Sequence, residues 1–489
     1  MNWAAGLPVC IDTYRANIKR NFFYNSLLTV ANYLFPLIVY PYVSRVLGVT
    51  NIGICNYVDS IVHWFILFSM MGMSTLGNRE MAAAGADRAR RSKAFSELIV
   101  LNLVTTLLAV LMLVVAMYAI PALAVYRSLL WVGVVKLMAN FLCIEWFYVG
   151  TENFRYITTR SILVKTLYVA AVFVFVRKAE DYPLYYLLSV LMIAVNALIN
   201  IVYSRKTVSF SLKGITPLSY LKPFLMLGLY MLLTSMYVTL NVTYLGAVSS
   251  PEQVGYYSTA SKLYGIVISF FSAFTGVMMP RMSSLLSENR EEEFRQMIGK
   301  TFNILLTFAI PLVIYATVLA PEIVRIFAGE GYEGAYIPAR IIMPLILVVG
   351  LEQVFVIQIL MPGRQDKAVF INSCAGAVIG VGLNILLVSR LLAVGTAIAW
   401  LSAELTVLVF AIYFSSRKMQ VSFPWQLFLR LVAVYLPALA GILLLYLLIP
   451  AFWWRLGAIT LFTGVYTGVY VLFIQKNEIV WSLIPFWKR

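Results

Sequence analysis

The chain has 489 residues, of which 62% are hydrophobic and 12% are charged, and its mean hydropathy is +0.87. Soluble domains carry about a quarter charged residues, so a water-soluble fold is excluded. The net charge of +16 comes from basic residues spread over many short loops, so no nucleic-acid partner is expected.

Apolar stretches of about 20 residues recur along the chain, and a helix of this length crosses about 30 Å of hydrocarbon. The sequence therefore predicts an all-α polytopic membrane protein with about fourteen transmembrane helices. In chain order the predicted spans are 22–44, 52–76, 94–118, 128–149, 157–176, 182–203, 221–246, 254–280, 299–320, 337–361, 367–388, 393–414, 427–449 and 453–474.

Basic residues are distributed unevenly between the two sides of these spans. The even-numbered gaps and the termini are rich in Lys and Arg; the gap 77–93 alone contains Arg79, Arg88, Arg90, Arg91 and Lys93. The odd-numbered gaps contain only Arg45, Arg127, Arg177, Lys178, Arg325, Arg390 and Arg455. Because basic loops stay in the cytoplasm, both termini are predicted to be cytoplasmic.

Two similar stretches point to an internal repeat. RVLGVTNIGICNYVDS (45–60) and YLGAVSSPEQVGYYSTASK (244–262) each contain Leu-Gly between two spans, then a glycine, then a charged residue. The offset is six spans in the same direction, which predicts parallel repeats around a central cavity. The predicted organisation is an interfacial N-terminus (1–20), a first lobe of spans 1–6 (21–204), a cytoplasmic linker (205–220), a second lobe of spans 7–12 (221–415), and a terminal helix pair with a cytoplasmic tail (416–489).

The loops leave little room for other chemistry. The longest gaps have about twenty residues, a GxxxxGK[ST] nucleotide-binding loop is absent, and the four cysteines have no paired spacing. We therefore expect no enzyme, no metal site and no cofactor, but a transporter whose working surface lies between its own helices.

The stretch EWFYVGTENFRYITTRSILVK (145–165) resembles a segment of bacterial oligosaccharide flippases, the Wzx-type polysaccharide transporters. GNRE (77–80) and the run from Gly255 to Arg281 resemble the same family. The resemblance implies the multidrug/oligosaccharidyl-lipid/polysaccharide exporter fold. It also implies that an undecaprenyl-pyrophosphate-linked repeat unit is flipped from the cytoplasmic to the periplasmic leaflet of the bacterial inner membrane by alternating access. The implied partners are the lipid-linked oligosaccharide, membrane lipids and other glycan-assembly proteins.

Four cations inside or beside the spans are candidate pyrophosphate ligands: Arg45, Lys136, Lys165 and Lys262. A charge at the centre of a lone helix costs about 2.5–3.5 kcal/mol, so such residues usually face a cavity or a partner. The alternatives are that Arg45 caps the outer gate and that the lysines, Lys262 above all, extend to the membrane interface.

Four other residues are candidates for gating or coupling: Asp59, His63, Glu352 and Glu404. Asp59 and His63 lie one turn apart, as a proton-linked pair or as a structural hydrogen bond. Asp59 and Lys262 occupy near-equivalent repeat positions, which suggests an ion pair that closes the outer side. Glu352 and Glu404 serve either coupling to a proton or sodium gradient or pairing between helices.

Two alternative functions remain open on the sequence alone. One is a cation-coupled multidrug exporter of the same superfamily, which the three lysines disfavour because cationic drugs require carboxylates. The other is a membrane-integral glycan polymerase, for which the loops are too short.

The predicted orientation can be tested with single cysteines in a background from which Cys10, Cys55, Cys143 and Cys374 have been removed. A cysteine at position 88 should react with an impermeant thiol reagent only after the inner face is opened. A cysteine at position 330, in the outer gap 321–336, serves as the control and should react in intact spheroplasts. Labelling of position 88 in intact spheroplasts would reverse the orientation.

Overall fold

The computed structural model describes residues 7–85 and 87–475, and these residues contain helices but no strand. The chain divides into two compact units, residues 1–255 and 256–489. This division falls one helix later than the predicted linker at 205–220, and the domain boundaries remain a prediction. The first six residues of the predicted interfacial segment and the tail after residue 475 lie outside the described residues.

Long helices separated by short turns build both units. The first unit contains α1 (Leu7–Met70), α2 (Met73–Ala84), α3 (Arg88–Ala119), α4 (Arg127–Leu142), α5 (Glu145–Gly150), α6 (Phe154–Phe175), α7 (Tyr182–Ser204) and α8 (Leu221–Val248). From the unit boundary onward the chain forms α9 (Pro251–Ser287), α10 (Glu291–Val318), α11 (Ala320–Ala328), α12 (Tyr336–Ile342), α13 (Leu345–Gln353), α14 (Asp366–Lys418), α15 (Trp425–Leu448) and α16 (Phe452–Val469). A π-helical segment, Val354–Leu360, continues α13.

The all-α, multi-pass architecture agrees with the predicted spans. By length and composition, eleven helices among the described residues can cross a membrane. Two of these, Phe23–Ala84 and Asp366–Lys418, each contain two predicted spans, so the eleven accommodate thirteen. The remaining predicted span, 221–246, falls within α8.

Sharp kinks divide the two longest helices. Gly48 has φ 75° inside α1, a conformation that glycine adopts without steric cost, and this confirms the predicted break between spans 1 and 2. Leu392 has φ 53° inside α14, between predicted spans 11 and 12. The prediction of a second Leu-Gly turn is wrong. Gly246 lies within α8 against the ring of Tyr57, and α8 ends only at Val248.

Residues of the family-like stretch 145–165 hold part of the first unit together. Trp146 is buried and its indole lies directly over Gly77, where a Cβ atom would collide with the ring. The Tyr148 hydroxyl donates to the Asn200 carbonyl at 2.6 Å, and the Thr158 hydroxyl donates to the Tyr24 carbonyl at 2.9 Å. These contacts fasten α5 and α6 to α2, α7 and α1.

The contact between Gly77 and Trp146 predicts a stability effect. Gly77→Ala should destabilise the protein by about 1–3 kcal/mol, because the added methyl group enters a packed ring face. Gly299→Ala is the matched control. It adds the same methyl group to an exposed helical glycine with open space around it, and should be neutral or stabilise by up to about 1 kcal/mol. Thermal unfolding of the purified protein in detergent measures both. Equal unfolding temperatures for Gly77→Ala and the parent would contradict the packing argument.

Candidate cationic binding site

One polar cluster of the first unit joins α1, α4 and α7. Lys136 on α4 forms an ion pair with Asp59 on α1, and their side chains are 13% and 42% exposed. His63, one turn beyond Asp59, is exposed and interacts electrostatically with both partners. The buried Tyr186 of α7 interacts electrostatically with Asp59. The structure thus brings three of the sequence-predicted residues together, and Lys136 is the direct partner of Asp59.

A second polar cluster of the first unit joins α5, α6 and α1. The Arg160 guanidinium pairs with Glu145 at 2.9 Å and also donates to the Ser161 hydroxyl at 3.0 Å. Lys165 lies one turn further along α6 and donates to the Asn32 side chain of α1. It also interacts electrostatically with Glu145 and Arg160. The break at Ile144, where φ is 37°, separates Glu145 from α4.

Arg160 has unusual surroundings. Its side chain is only 3% exposed, yet its Nε and Nη1 atoms are buried without a hydrogen-bond partner among the described residues. A buried donor without an acceptor is costly, by about 1–3 kcal/mol. Arg160 therefore has two unsatisfied donors, and its charge interacts with that of Lys165.

Four sequence-predicted candidates remain: Arg45, Lys262, Glu352 and Glu404. Arg45 is exposed on α1, and its guanidinium donates to the Pro41 carbonyl of its own helix. Lys262 is partly buried on α9 in the second unit. Glu352 and Glu404, also in the second unit, are hydrogen-bonded to each other. The roles assigned to these four residues stay predictions.

Sequence reasoning missed part of the site. Arg160 was matched only as part of the family-like stretch, and Asn32 and Tyr186 were not singled out. The signal for Arg160 was available, because an arginine three residues inside a predicted apolar span requires a partner or a ligand. No comparable signal exists for Asn32 or Tyr186, whose contacts are with residues more than 120 positions away.

Together the two clusters contain three cations (Lys136, Arg160 and Lys165) and two carboxylates (Asp59 and Glu145). When no ligand is bound, Asp59 orients Lys136 and Glu145 orients Arg160. An incoming anion with several oxygens can replace the carboxylates, since charge-assisted hydrogen bonds to Arg and Lys are stronger than hydrogen bonds between neutral groups. The arrangement is therefore suited to binding a polyvalent anion such as a phosphate ester.

Comparison with known proteins gives three kinds of match. The profile of the family described as "Polysaccharide biosynthesis protein" matches residues 18–286. A protein of Escherichia coli (strain K12) named "Putative O-antigen transporter" is 25% identical over 404 residues, which cover 81% of this chain and 95% of that protein. A protein of Shigella dysenteriae with the same name is 24% identical over 402 residues, covering 80% and 98%.

Solved structures share the fold at low sequence identity. A lipid II flippase MurJ in an inward closed conformation superposes with a TM-score of 0.76 at 15% identity, covering 93% of this chain and 99% of that one. An inward-facing multidrug resistance transporter of the MATE family, from the MOP superfamily, gives a TM-score of 0.63 at 14% identity, with 80% and 94% covered. These likenesses establish the fold.

The pair of Asp59 and Lys136 predicts a measurable coupling energy. Asp59→Asn should destabilise the protein by about 1–2 kcal/mol, less than for a fully buried pair because Asp59 is partly exposed. Asp59→Asn combined with Lys136→Gln should recover most of the loss, because no unpaired charge remains. The exposed pair of Arg290 and Glu288 is the control and should couple by about 0.5 kcal/mol or less. A double-mutant cycle based on thermal unfolding in detergent measures the coupling energy. Additive effects of Asp59→Asn and Lys136→Gln would exclude the coupling.

Proposed function

This chain belongs to the polysaccharide biosynthesis protein family, and we propose that it flips undecaprenyl-pyrophosphate-linked oligosaccharide repeat units from the cytoplasmic to the periplasmic leaflet. It is a multi-pass membrane transporter of the O-antigen or polysaccharide flippase type. The relatives named as O-antigen transporters support the substrate class, and the fold shared with a lipid II flippase is consistent with a lipid-linked cargo.

The observation that carries this proposal is the buried guanidinium of Arg160 beside Lys165. A pyrophosphate cannot enter hydrocarbon unless cations and hydrogen-bond donors replace its water. The Nε and Nη1 atoms of Arg160 supply two such donors in the fork geometry that suits phosphate oxygens. Lys165 supplies a third cationic donor, and the polyprenyl tail stays in the surrounding lipid.

Exchange of partners provides a mechanism for alternating access. In the structure Glu145 forms an ion pair with Arg160, and Asp59 forms an ion pair with Lys136. A bound pyrophosphate displaces these carboxylates, and a ligand that binds one conformer better shifts the equilibrium by its difference in affinity. A difference of about 1–3 kcal/mol changes the ratio of two conformers by a factor of about 5–150. Arg45 and Lys262 are further candidate ligands of the pyrophosphate, and Asp59 and His63 are candidate gating residues.

The role of Arg160 is tested by export of the glycan in a strain that lacks its own flippase. Arg160→Ala should lower export by at least about tenfold, while Arg160→Lys, which keeps the charge but loses the fork, should retain partial activity. Arg155→Ala is the matched control, because it removes an exposed arginine from the same helix and should leave export near the parent level. Normal export by Arg160→Ala at matched protein levels would contradict the proposed phosphate contact.

The function itself is tested with purified protein in liposomes that contain a radiolabelled sugar-lipid. The proposal expects the labelled lipid to change leaflets without a change in length, read out by the accessibility of its sugar to an external enzyme. Elongation of the sugar would instead identify a polymerase. Protection of cells from cationic drugs without lipid translocation would identify a multidrug exporter.

A further inference from the structure

Two acidic side chains of the second unit contact each other within the helix bundle. Glu352 lies near the end of α13 and Glu404 lies in the second half of α14, and their carboxyl groups are hydrogen-bonded to each other. The Trp400 indole donates to Glu404 at 3.0 Å, and Glu404 is only 6% exposed. The rings of Tyr257 and Tyr264 pack against Trp400 and hold it in place.

Other buried carboxylates of the described chain are compensated in the ordinary way. Glu97 accepts hydrogen bonds from the backbone N–H and the hydroxyl of Thr216, and Glu322 pairs with the guanidinium of Arg455 at 2.6 Å. The electrostatic partner of Glu352 is Glu404, and the partners of Glu404 are Glu352 and the neutral Trp400. Neither of these partners carries a positive charge, so among the described contacts the pair differs from Glu322, which has a cation as its partner.

Two carboxylates in contact cannot both be ionised, because the repulsion and the loss of water are too costly. A hydrogen bond between two carboxyl groups also requires a proton on one of them. We propose that Glu352 and Glu404 form a proton-binding site that holds one shared proton and exchanges it with water during the transport cycle. The exchange breaks and forms a single O–H bond. It converts a neutral carboxyl paired with a carboxylate into two separated carboxylates and one hydrated proton.

The helix that carries Glu352 has a means of separating the two groups. The Gln353 amide is anchored to the Ser272 hydroxyl of α9 at 2.8 Å, and the π-helical segment Val354–Leu360 follows directly. Such segments occur mostly at functional sites, and their wider turns permit a shift of helical register. Gln358, within this segment, is fully buried with both amide atoms unpartnered in the described part of the chain. A register shift at this segment moves Glu352 away from Glu404 and releases the proton.

The proton itself can be observed by infrared spectroscopy of the purified full-length protein in lipid nanodiscs. The parent should show the C=O band of a neutral carboxyl at neutral pH, and the band should shift in frequency or disappear in both Glu352→Gln and Glu404→Gln, because each removes one member of the hydrogen-bonded pair. Glu97→Gln is the matched control. It removes a buried carboxylate that already has two donors, and the band should remain.

The outcomes of this experiment are distinct. Absence of a neutral-carboxyl band in the parent would overturn the proposal without reference to any variant, so variants that fail to fold do not obstruct the test. A band unchanged in frequency and intensity in both glutamine variants would overturn it as well. Loss of the band on addition of sodium chloride, but not potassium chloride, would replace the proton site by a sodium site.

Coupling of this proton to transport rests on the proposed function and needs a separate assay. With the labelled sugar-lipid in liposomes, an imposed pH gradient should change the flipping rate of the parent by about fivefold or more. Glu352→Gln should abolish this response, whereas Glu97→Gln should keep it. Flipping that ignores the gradient in the parent would overturn the coupling and leave the flippase function intact. The infrared band without any flipping would support the proton site and refute the flippase function.

Discussion

A charged side chain does not remain inside hydrocarbon unless another group compensates it, and this constraint accounts for the polar contacts within the bundle. Asp59 is compensated by Lys136 in this way, and Glu322, which is buried outside the predicted spans, is likewise paired with Arg455. Each pair joins different helices, so compensation also fixes which helices are neighbours. At Arg160 the compensation is incomplete, because two of its donor atoms have no acceptor among the described residues.

The spans were predictable because the length and apolarity of a membrane helix are local properties of the sequence. The kink at Gly48 was also predictable, since glycine favours its backbone conformation. The kink at Leu392 carries no such signal. At Gly246 the signal misled, because a glycine that permits close packing on Tyr57 cannot be distinguished in sequence from a glycine in a turn.

Ion-pair partners were harder to predict than spans. For Asp59 the sequence offered His63, one turn away, and Lys262, its counterpart in the repeat. The partner in the structure is Lys136, 77 residues distant. Helical periodicity places residues on a face but does not specify which helix meets that face. The family-like stretch 145–165 shows a related limit, because Trp146 in it serves packing while Arg160 in it belongs to the site, and a motif match does not separate the two roles.

The terminal helices are held by polar ties in addition to apolar packing, in which Ile459 of α16 is buried with Ile442 of α15 and Leu319. Lipid tails are as apolar as the helix surfaces, so helices in a membrane associate through close contacts and hydrogen bonds. Arg455, at the start of α16, binds Glu322, and Tyr315 of α10 hydrogen-bonds Thr460 at 2.9 Å. Beyond the other end of α16, Gln475 donates to Asn303 and Thr307 of α10. Between these ties lies a cavity of about 540 Å³ lined by both helices. Helix α16 is thus held at its two ends by polar groups, and its middle leaves apolar surface uncovered on the side that faces α10.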